Sequence, residues 1–389
     1  MKQAESASRR RFLIGMGGGL GLRSILGHWA PSIAGVEQEC RAASFSKGLK
    51  PIPFIHTTDL YNPPQDPDDH VDLATVYALP ELDLRAVILD PTRKFVAQLD
   101  PGFVPVAQMN YLTGRAVPVA AGPIDPLRSS SDTATDRPHR EQAGIGLLLD
   151  TLGRSEEPVL VSVVGSARTI AAAWNREPKL LQQKVRAVVV NAGATSGKPE
   201  AEWNVQLDVQ AWIALCRSGL PIEWYPCTGA HGPTDLDPHN TYWSASHRQL
   251  FADLPQPLRA YFDYAFNHHA RGDIIRALSV LGSGASWEKV LSDRRNMWST
   301  ASLVLAAGRV LAQTPDGWRF VAKDRANGLK LQLLEMLPIA CQVDDRGAVR
   351  WSFKPGPGNI RIFHRNPAEE HVRAMAEATN ALLRQMPLG

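Results

Sequence analysis

The feature that most restricts the fold is a pair of runs dominated by apolar, β-branched residues, Val159–Val164 and 185–190, with Ser162 and Arg186 as their single polar members. A strand with one face in water alternates apolar and polar residues. A run without alternation suits a strand covered on both faces, as in a parallel sheet sandwiched between helices. Shorter runs precede them: 53–56 reads as a strand ending at Thr57-Thr58-Asp59, 84–89 as a second strand and 117–121 as a third. Segments with helical apolar spacing lie between these runs, at 69–79, 142–152, 167–174 and 209–216. That rhythm predicts an α/β fold, doubly wound, with a mostly parallel central sheet flanked by helices. The second half is less regular. Residues 228–243 read as a loop, 245–253, 257–269 and 297–312 as helices, 360–363 as a strand and 369–385 as a terminal helix, which makes the C-terminal half the more helical one. The polar stretch 125–140 reads as a second long loop, of the kind that walls or covers a substrate.

With 44% hydrophobic and 21% charged residues in 389, the chain has ample material for a core and does not resemble a disordered one. The formal net charge is +3, and beyond the N-terminus the basic residues are scattered among acids, so no cationic stripe suits a nucleic acid. Residues 1–35 are different material. Ser8-Arg9-Arg10-Arg11-Phe12-Leu13 precedes an apolar, Gly-rich stretch and then Ser32-Ile33-Ala34, the pattern of a twin-arginine export signal. Arg23 interrupts the apolar stretch, which is shorter than the ~20 residues that span a bilayer. The expectation is therefore passage through the twin-arginine machinery to a periplasmic or secreted location, no stable membrane anchor, and one domain over 45–389. Cys40, Cys216, Cys227 and Cys341 would then meet an oxidising compartment. A Cys216–Cys227 bridge is one pairing among those they allow.

Four acids, Asp59, Asp66, Asp68 and Asp69, fall in the link between the first strand and its helix. Ligands of open α/β sheets bind beyond the carboxyl ends of the strands, where this link lies. Each carboxylate raises the cost of ionising its neighbours. A hard cation removes that cost, and Ca²⁺ takes about six to eight oxygens. Capping of the helix by Asp68 or Asp69 accounts for one acid and leaves the others unexplained. On the residues alone, capping and metal binding weigh equally.

Thr58-Asp59, Asp68-Asp69, the helix after them and Leu79-Pro80-Glu81-Leu82-Asp83-Leu84-Arg85-Ala86-Val87 resemble the N-terminal signature of the nucleoside hydrolases, a strand followed by a D-x-D-P-G-x-D-D-A loop, a helix and a proline-acid-apolar second strand. Further blocks follow in the family's order. They are Val117-Pro118-Val119-Ala120-Ala121-Gly122, His139-Arg140-Glu141-Gln142-Ala143-Gly144, the stretch 161–178, the stretch 188–194, and Glu202-Trp203-Asn204 with Asp208 beyond. The resemblance implies a Rossmann-like fold and a metal-dependent hydrolase of the N-glycosidic bond of a nucleoside or related riboside. It implies Ca²⁺ as cofactor and, by analogy alone, a homo-oligomer. It assigns Asp59 as calcium ligand and as the base that deprotonates the attacking water, Asp69 as a bidentate ligand, and the Val164 carbonyl as a further ligand. Asp68, Glu202 and Asn204 would hold the ribose hydroxyls, and His139 would line the pocket. Read without the family, Glu202 and Asn204 are helix caps, His139 is a solvated loop residue and Trp203 is core packing.

Three departures bear on that assignment. Asp59 stands nine positions before Asp68, where the family places the matching acids four apart. Either the inserted Leu60-Tyr61-Asn62-Pro63-Pro64 bulges outward and leaves Asp59 in place, or Asp66 takes over its role. The late-helix aspartate that completes the family's metal shell falls on Ser299, a weaker, neutral ligand. Asp90-Pro91-Thr92-Arg93 stands where the family has Gly-Asn, and Asn191-Ala192-Gly193 where it has Met-Gly-Gly. These changes leave two rivals: a non-catalytic sugar- or nucleoside-binding relative with a degraded metal site, and a hydrolase of another glycoside.

Overall fold

A computed structural model describes residues 50–95, 98–270, 272–354, 356, 358–366 and 369–389. The proposed export segment and Cys40 lie outside the described residues. The first half alternates as the sequence predicts. Its order is β1 (Ile52–Thr58), α1 (Asp68–Ala78), β2 (Leu82–Leu89), α2 (Phe103–Thr113), β3 (Val119–Ala121), α3 (His139–Arg154), β4 (Val159–Val164), α4 (Arg168–Arg176), α5 (Pro178–Lys184), β5 (Val185–Asn191), α6 (Trp203–Leu207), α7 (Val209–Arg217) and β6 (Ile222–Tyr225). The chain continues through β7 (Trp243–Ser246), α8 (His247–Phe251), α9 (Gln256–Phe266), α10 (Ala277–Val280), α11 (Gly284–Leu291), β8 (Arg294–Met297) and α12 (Thr300–Ala306). It ends with β9 (Arg309–Thr314), β10 (Gly317–Ala322), β11 (Lys330–Gln332), β12 (Leu334–Val343), β13 (Val349–Phe353), β14 (Ile360–Arg365) and α13 (Glu369–Arg384).

Nine strands form the main sheet in the order β13-β12-β14-β6-β5-β4-β1-β2-β3. From β14 to β3 every pairing is parallel, while β12 runs antiparallel to both β14 and β13. All six residues of β4 are buried, and all of β5 except Arg186. The pleat explains why these strands need no polar face. Phe54, Val87, Leu89 and Val189 point into one apolar cluster, and their neighbours Ile55, Ala86, Ile88, Val188 and Val190 point into another. Helices cover both faces, and the apolar area withdrawn from water on each side is the main force holding the sheet.

The second half departs from expectation by carrying many more strands. The helix expected over 297–312 ends at Ala306, and Gly308 follows at φ 71°, the left-handed conformation that suits glycine at a helix end. The chain then turns back as β9, which pairs with β10 and β11 in a small antiparallel sheet. Its turn signal, Pro315-Asp316-Gly317, is present in the sequence, with Gly317 at φ 103°. Cys216, Cys227 and Cys341 are free thiols, so the Cys216–Cys227 pairing is not made. No helix among the described residues is long and apolar enough to cross a membrane.

Candidate metal centre

The carboxyl ends of β1, β4 and β5 open onto a cavity of about 360 Å³. Asp59, Asp66, Asp68, Asp69 and Val164 line its floor, with Glu202, Trp203, Asn204, Trp298 and Ser299 also on its walls. Seven of the eight residues singled out from sequence therefore meet in one place. His139 does not join them. It is exposed at the first turn of α3 and is not part of the lining. The preceding loop is drawn onto the protein surface, because Arg128 pairs with Asp132 (3.0 Å) and Asp136 (2.9 Å) and Asn175 of α4 donates to the carbonyls of Ser130 and Asp132. That anchoring delivers His139 to solvent.

The inserted segment does not bulge outward. Leu60 and Tyr61 are fully buried and Asn62 nearly so. Asn62 exchanges backbone hydrogen bonds with Asp100, and its side-chain amide donates to the His269 carbonyl. His70 of α1 bonds the Tyr61 carbonyl through Nε2 at 2.9 Å and meets the Tyr261 hydroxyl through Nδ1 at 3.2 Å. The insertion is thus folded into the core, Asp59 stays at the end of β1, and Asp66 reaches the cavity as well. Asp59 therefore keeps its place without an outward bulge, and Asp66 joins it in the cavity lining.

Asp59 and Asp69 are 2% exposed and Asp68 is 5% exposed. Burial first, and then mutual repulsion, raises all three carboxyls well above the ordinary aspartate range. Asp66 and Asp90 press on Asp59, while Asp59, Asp66, Asp68 and Asp72 press on Asp69. The Thr58 hydroxyl donates to Asp69 Oδ2 at 3.1 Å. One oxygen each from Asp68, Asp69 and Asp72 lie within 4.8 Å of one another, the span of two Ca–O bonds of about 2.4 Å. Asp72 is completely buried, and its Oδ2 has no hydrogen-bond partner among the described residues. An all-oxygen donor set with an orphaned buried carboxylate oxygen fits a hard divalent cation.

Glu202 keeps the capping role that its position suggests. Its carboxylate accepts from the backbone N–H groups of Gly193 (2.7 Å), Asn204 (2.9 Å) and Val205 (2.9 Å), which closes the N-terminus of α6 against the end of β5. Burial raises its pKa and these three donors oppose the rise. The Asn204 amide donates to the Asn191 carbonyl at 2.9 Å. Trp203, expected in the core, is 39% exposed at the cavity wall, with the Lys94 ammonium 5.1 Å from its ring. Trp298 packs on Tyr242 at 5.5 Å and donates through its indole N–H to the Pro233 carbonyl. Ser299 is 3% exposed at the start of α12.

The sequence reading missed three residues. Asp90, standing where the family has Gly-Asn, accepts from the Ser166 N–H at 2.7 Å, so it holds the turn that follows Val164. Arg168, 1% exposed, joins Asp90 (3.5 Å) to Asp208 (3.1 Å) and donates to the carbonyls of Pro91, Pro123, Ile124 and Leu207. No local pattern marks this network, because its members come from distant segments. Asp72 was legible, since it lies three and four positions after Asp69 and Asp68 on the same helix face.

No protein-family model matches the chain. Over 175 residues it is 28% identical to the pyrimidine-specific ribonucleoside hydrolase RihA of Citrobacter koseri, covering 40% of this chain and 55% of that protein. Over 194 residues it is 30% identical to the uncharacterized protein C1683.06c of Schizosaccharomyces pombe, covering 42% and 59%. The chain thus spans little more than half the length of these curated relatives. Among solved structures, the purine-preferring ribonucleoside hydrolase from Gardnerella vaginalis superposes with a TM-score of 0.50 at 14% identity, covering 85% of this chain and 99% of that one. The chain therefore has the nucleoside hydrolase fold and a nucleoside hydrolase-like sequence.

Proposed function

We propose that this protein hydrolyses the N-glycosidic bond of a nucleoside or related riboside with the help of a divalent cation, calcium by preference. The observation that carries this reading is the convergence of Asp59, Asp66, Asp68, Asp69 and Val164 at the carboxyl ends of β1 and β4, in a cavity of about 360 Å³, within the range of small-ligand sites. Asp59, Asp69 and the Val164 carbonyl would hold the cation, which supplies Lewis acidity and a fixed template for the sugar diol. Asp59 takes the proton from the attacking water, a role that suits a carboxyl raised by burial and by its neighbours. Asp68 and Asn204 bind ribose hydroxyls, and Glu202 keeps the β5 end and α6 in register beneath them. The carboxylates around the sugar favour the positive charge that builds at its anomeric carbon as the bond breaks. Trp203 and Trp298 offer apolar, planar walls for the base. Catalysis outside the cytoplasm, after twin-arginine export directed by Arg9 and Arg10, belongs to the same proposal.

Calcium titration followed by a ribose-release assay over a panel of nucleosides tests the reading. Release that depends on calcium and disappears in Asp69→Ala, together with the calcium-dependent thermal stabilisation, is the expected result. The neutral Ser299 favours a second reading, a protein that binds cation and nucleoside without turnover. Saturable stabilisation by calcium with no ribose released from any nucleoside would decide for it.

A further inference from the structure

Asp72 is absent from the ligand set that the resemblance assigns, yet the helix carries it to the same place. Side chains three and four apart share a helix face, so Asp72 lies one turn along α1 from Asp68 and Asp69. Its Oδ1 accepts a hydrogen bond from the Thr300 hydroxyl at 2.9 Å, and its buried Oδ2 accepts from no group among the described residues. A buried carboxylate oxygen left without a partner is costly unless a positive charge faces it or a proton neutralises it. Thr300 adjoins Ser299, the position where the resemblance expects the last acidic ligand. The structure therefore sets a surplus carboxylate on α1 directly across from a missing one on α12.

We propose that Asp72 supplies the carboxylate that the late helix lacks, so that the cation shell is completed from α1 rather than from α12. This rests on the metal-dependent reading above. The charge balance is preserved by the exchange. A shell of Asp59, Asp69 and a late-helix aspartate carries three carboxylates, and the trio whose oxygens lie within 4.8 Å of one another, Asp68, Asp69 and Asp72, carries three as well. Thr300 occupies one oxygen of Asp72 and leaves the other free for the cation. Ser299 then needs no charge of its own.

Calorimetric titration of the full chain with calcium alone provides the test, with circular dichroism to confirm folding. Asp72→Asn keeps the shape and the Thr300 contact but removes the charge, and is expected to weaken calcium binding by at least about tenfold. Adding Ser299→Asp to that variant is expected to recover most of the loss. Ser299→Asp alone serves if Asp72→Asn does not fold. With Asp72 already a ligand, a fourth carboxylate adds repulsion and does not tighten binding, whereas tighter binding in this single variant would overturn the proposal. Wild-type affinity in Asp72→Asn, alongside lost binding in Asp69→Asn, would also overturn it while sparing the metal site. So would a loss in Asp72→Asn that Ser299→Asp fails to recover. Absence of calcium binding in the unaltered protein would remove both the exchange and the reading beneath it.

Discussion

Arg168→Met isolates the charge network behind the site. Arg168 is 1% exposed and stands between Asp90 and Asp208, each 2% exposed. Methionine fills much of the same channel but strands two buried carboxylates with no cation near them. Breaking a buried ion pair from one side costs about 3–5 kcal/mol. Backbone donors from Ser166, Leu127 and Ala211 remain on the two acids and keep the loss within that range. At about 0.7 kcal/mol per degree for a folded region of this size, Tm should fall by roughly 4–7 °C. Urea unfolding followed by tryptophan fluorescence should give a lower midpoint with an unchanged slope. Burial raises both acids and Arg168 opposes the rise, so its removal pushes both further up. A carboxyl raised in the folded state is destabilising once ionised, and the deficit should therefore be smaller at pH 5 than at pH 8. Adding Asp90→Asn and Asp208→Asn to the variant should restore most of the loss, since no unpaired charge then remains. A cost below about 1 kcal/mol, or a neutral triple variant no more stable than Arg168→Met, would refute the electrostatic account.

Three further outcomes are expected. In chelator, stability should rise as pH falls from 9 to 7, by up to about 1.4 kcal/mol per unit for each proton held only in the folded state, because Asp72, pushed up to about 8, and Asp59, Asp68 and Asp69, also raised, take up protons there while the unfolded chain stays ionised. Below pH 6.5 the gain should flatten, because burial lowers His56 to about 3 and His70 to about 4, so the unfolded chain takes up protons on both rings; urea midpoints in chelator that do not climb between pH 9 and pH 7 would refute this balance. Trp203→Ala should weaken nucleoside binding by about 0.5–1.5 kcal/mol, some 2- to 13-fold, if a base stacks there, and an unchanged Kd would place the base elsewhere. Arg9→Lys with Arg10→Lys should hold the protein in the cytoplasm on cell fractionation, and undiminished export would exclude the twin-arginine route.

The parallel half of the fold was legible because β4 and β5 are buried on both faces and say so in runs that are apolar almost throughout, without the alternation of a half-exposed strand. The strands from β8 to β13 were not. Most are short and all are partly exposed, as in β10, where buried Trp318 and Phe320 alternate with half-buried Arg319 and Val321. Periodicity over six residues cannot outweigh the helical spacing that 297–312 also displays, and only Gly308 marks where the helix stops. The acids of the first loop were legible as a cluster, since they are near neighbours in sequence. The depth of the insertion was not, because it is held through His70, which bonds both the Tyr61 carbonyl and the hydroxyl of Tyr261, some two hundred residues further along. The Arg168 network fails to show for the same reason.

The buried insertion has a consequence for how quickly and how tightly the loop can take up its guest. Leu60, Tyr61 and the His70 clamp fasten the acidic loop to the core, so its shape is set when the chain folds and no ordering of this segment is owed when a cation arrives. Preorganised donors bind more tightly than donors that must first be gathered. The same fastening denies the carboxylates any way to spread apart, so their repulsion is stored as a compressed spring within the native state. On the proposed function, capture of a cation would release that tension, so the pull toward a metal is greatest where the loop without one is least comfortable.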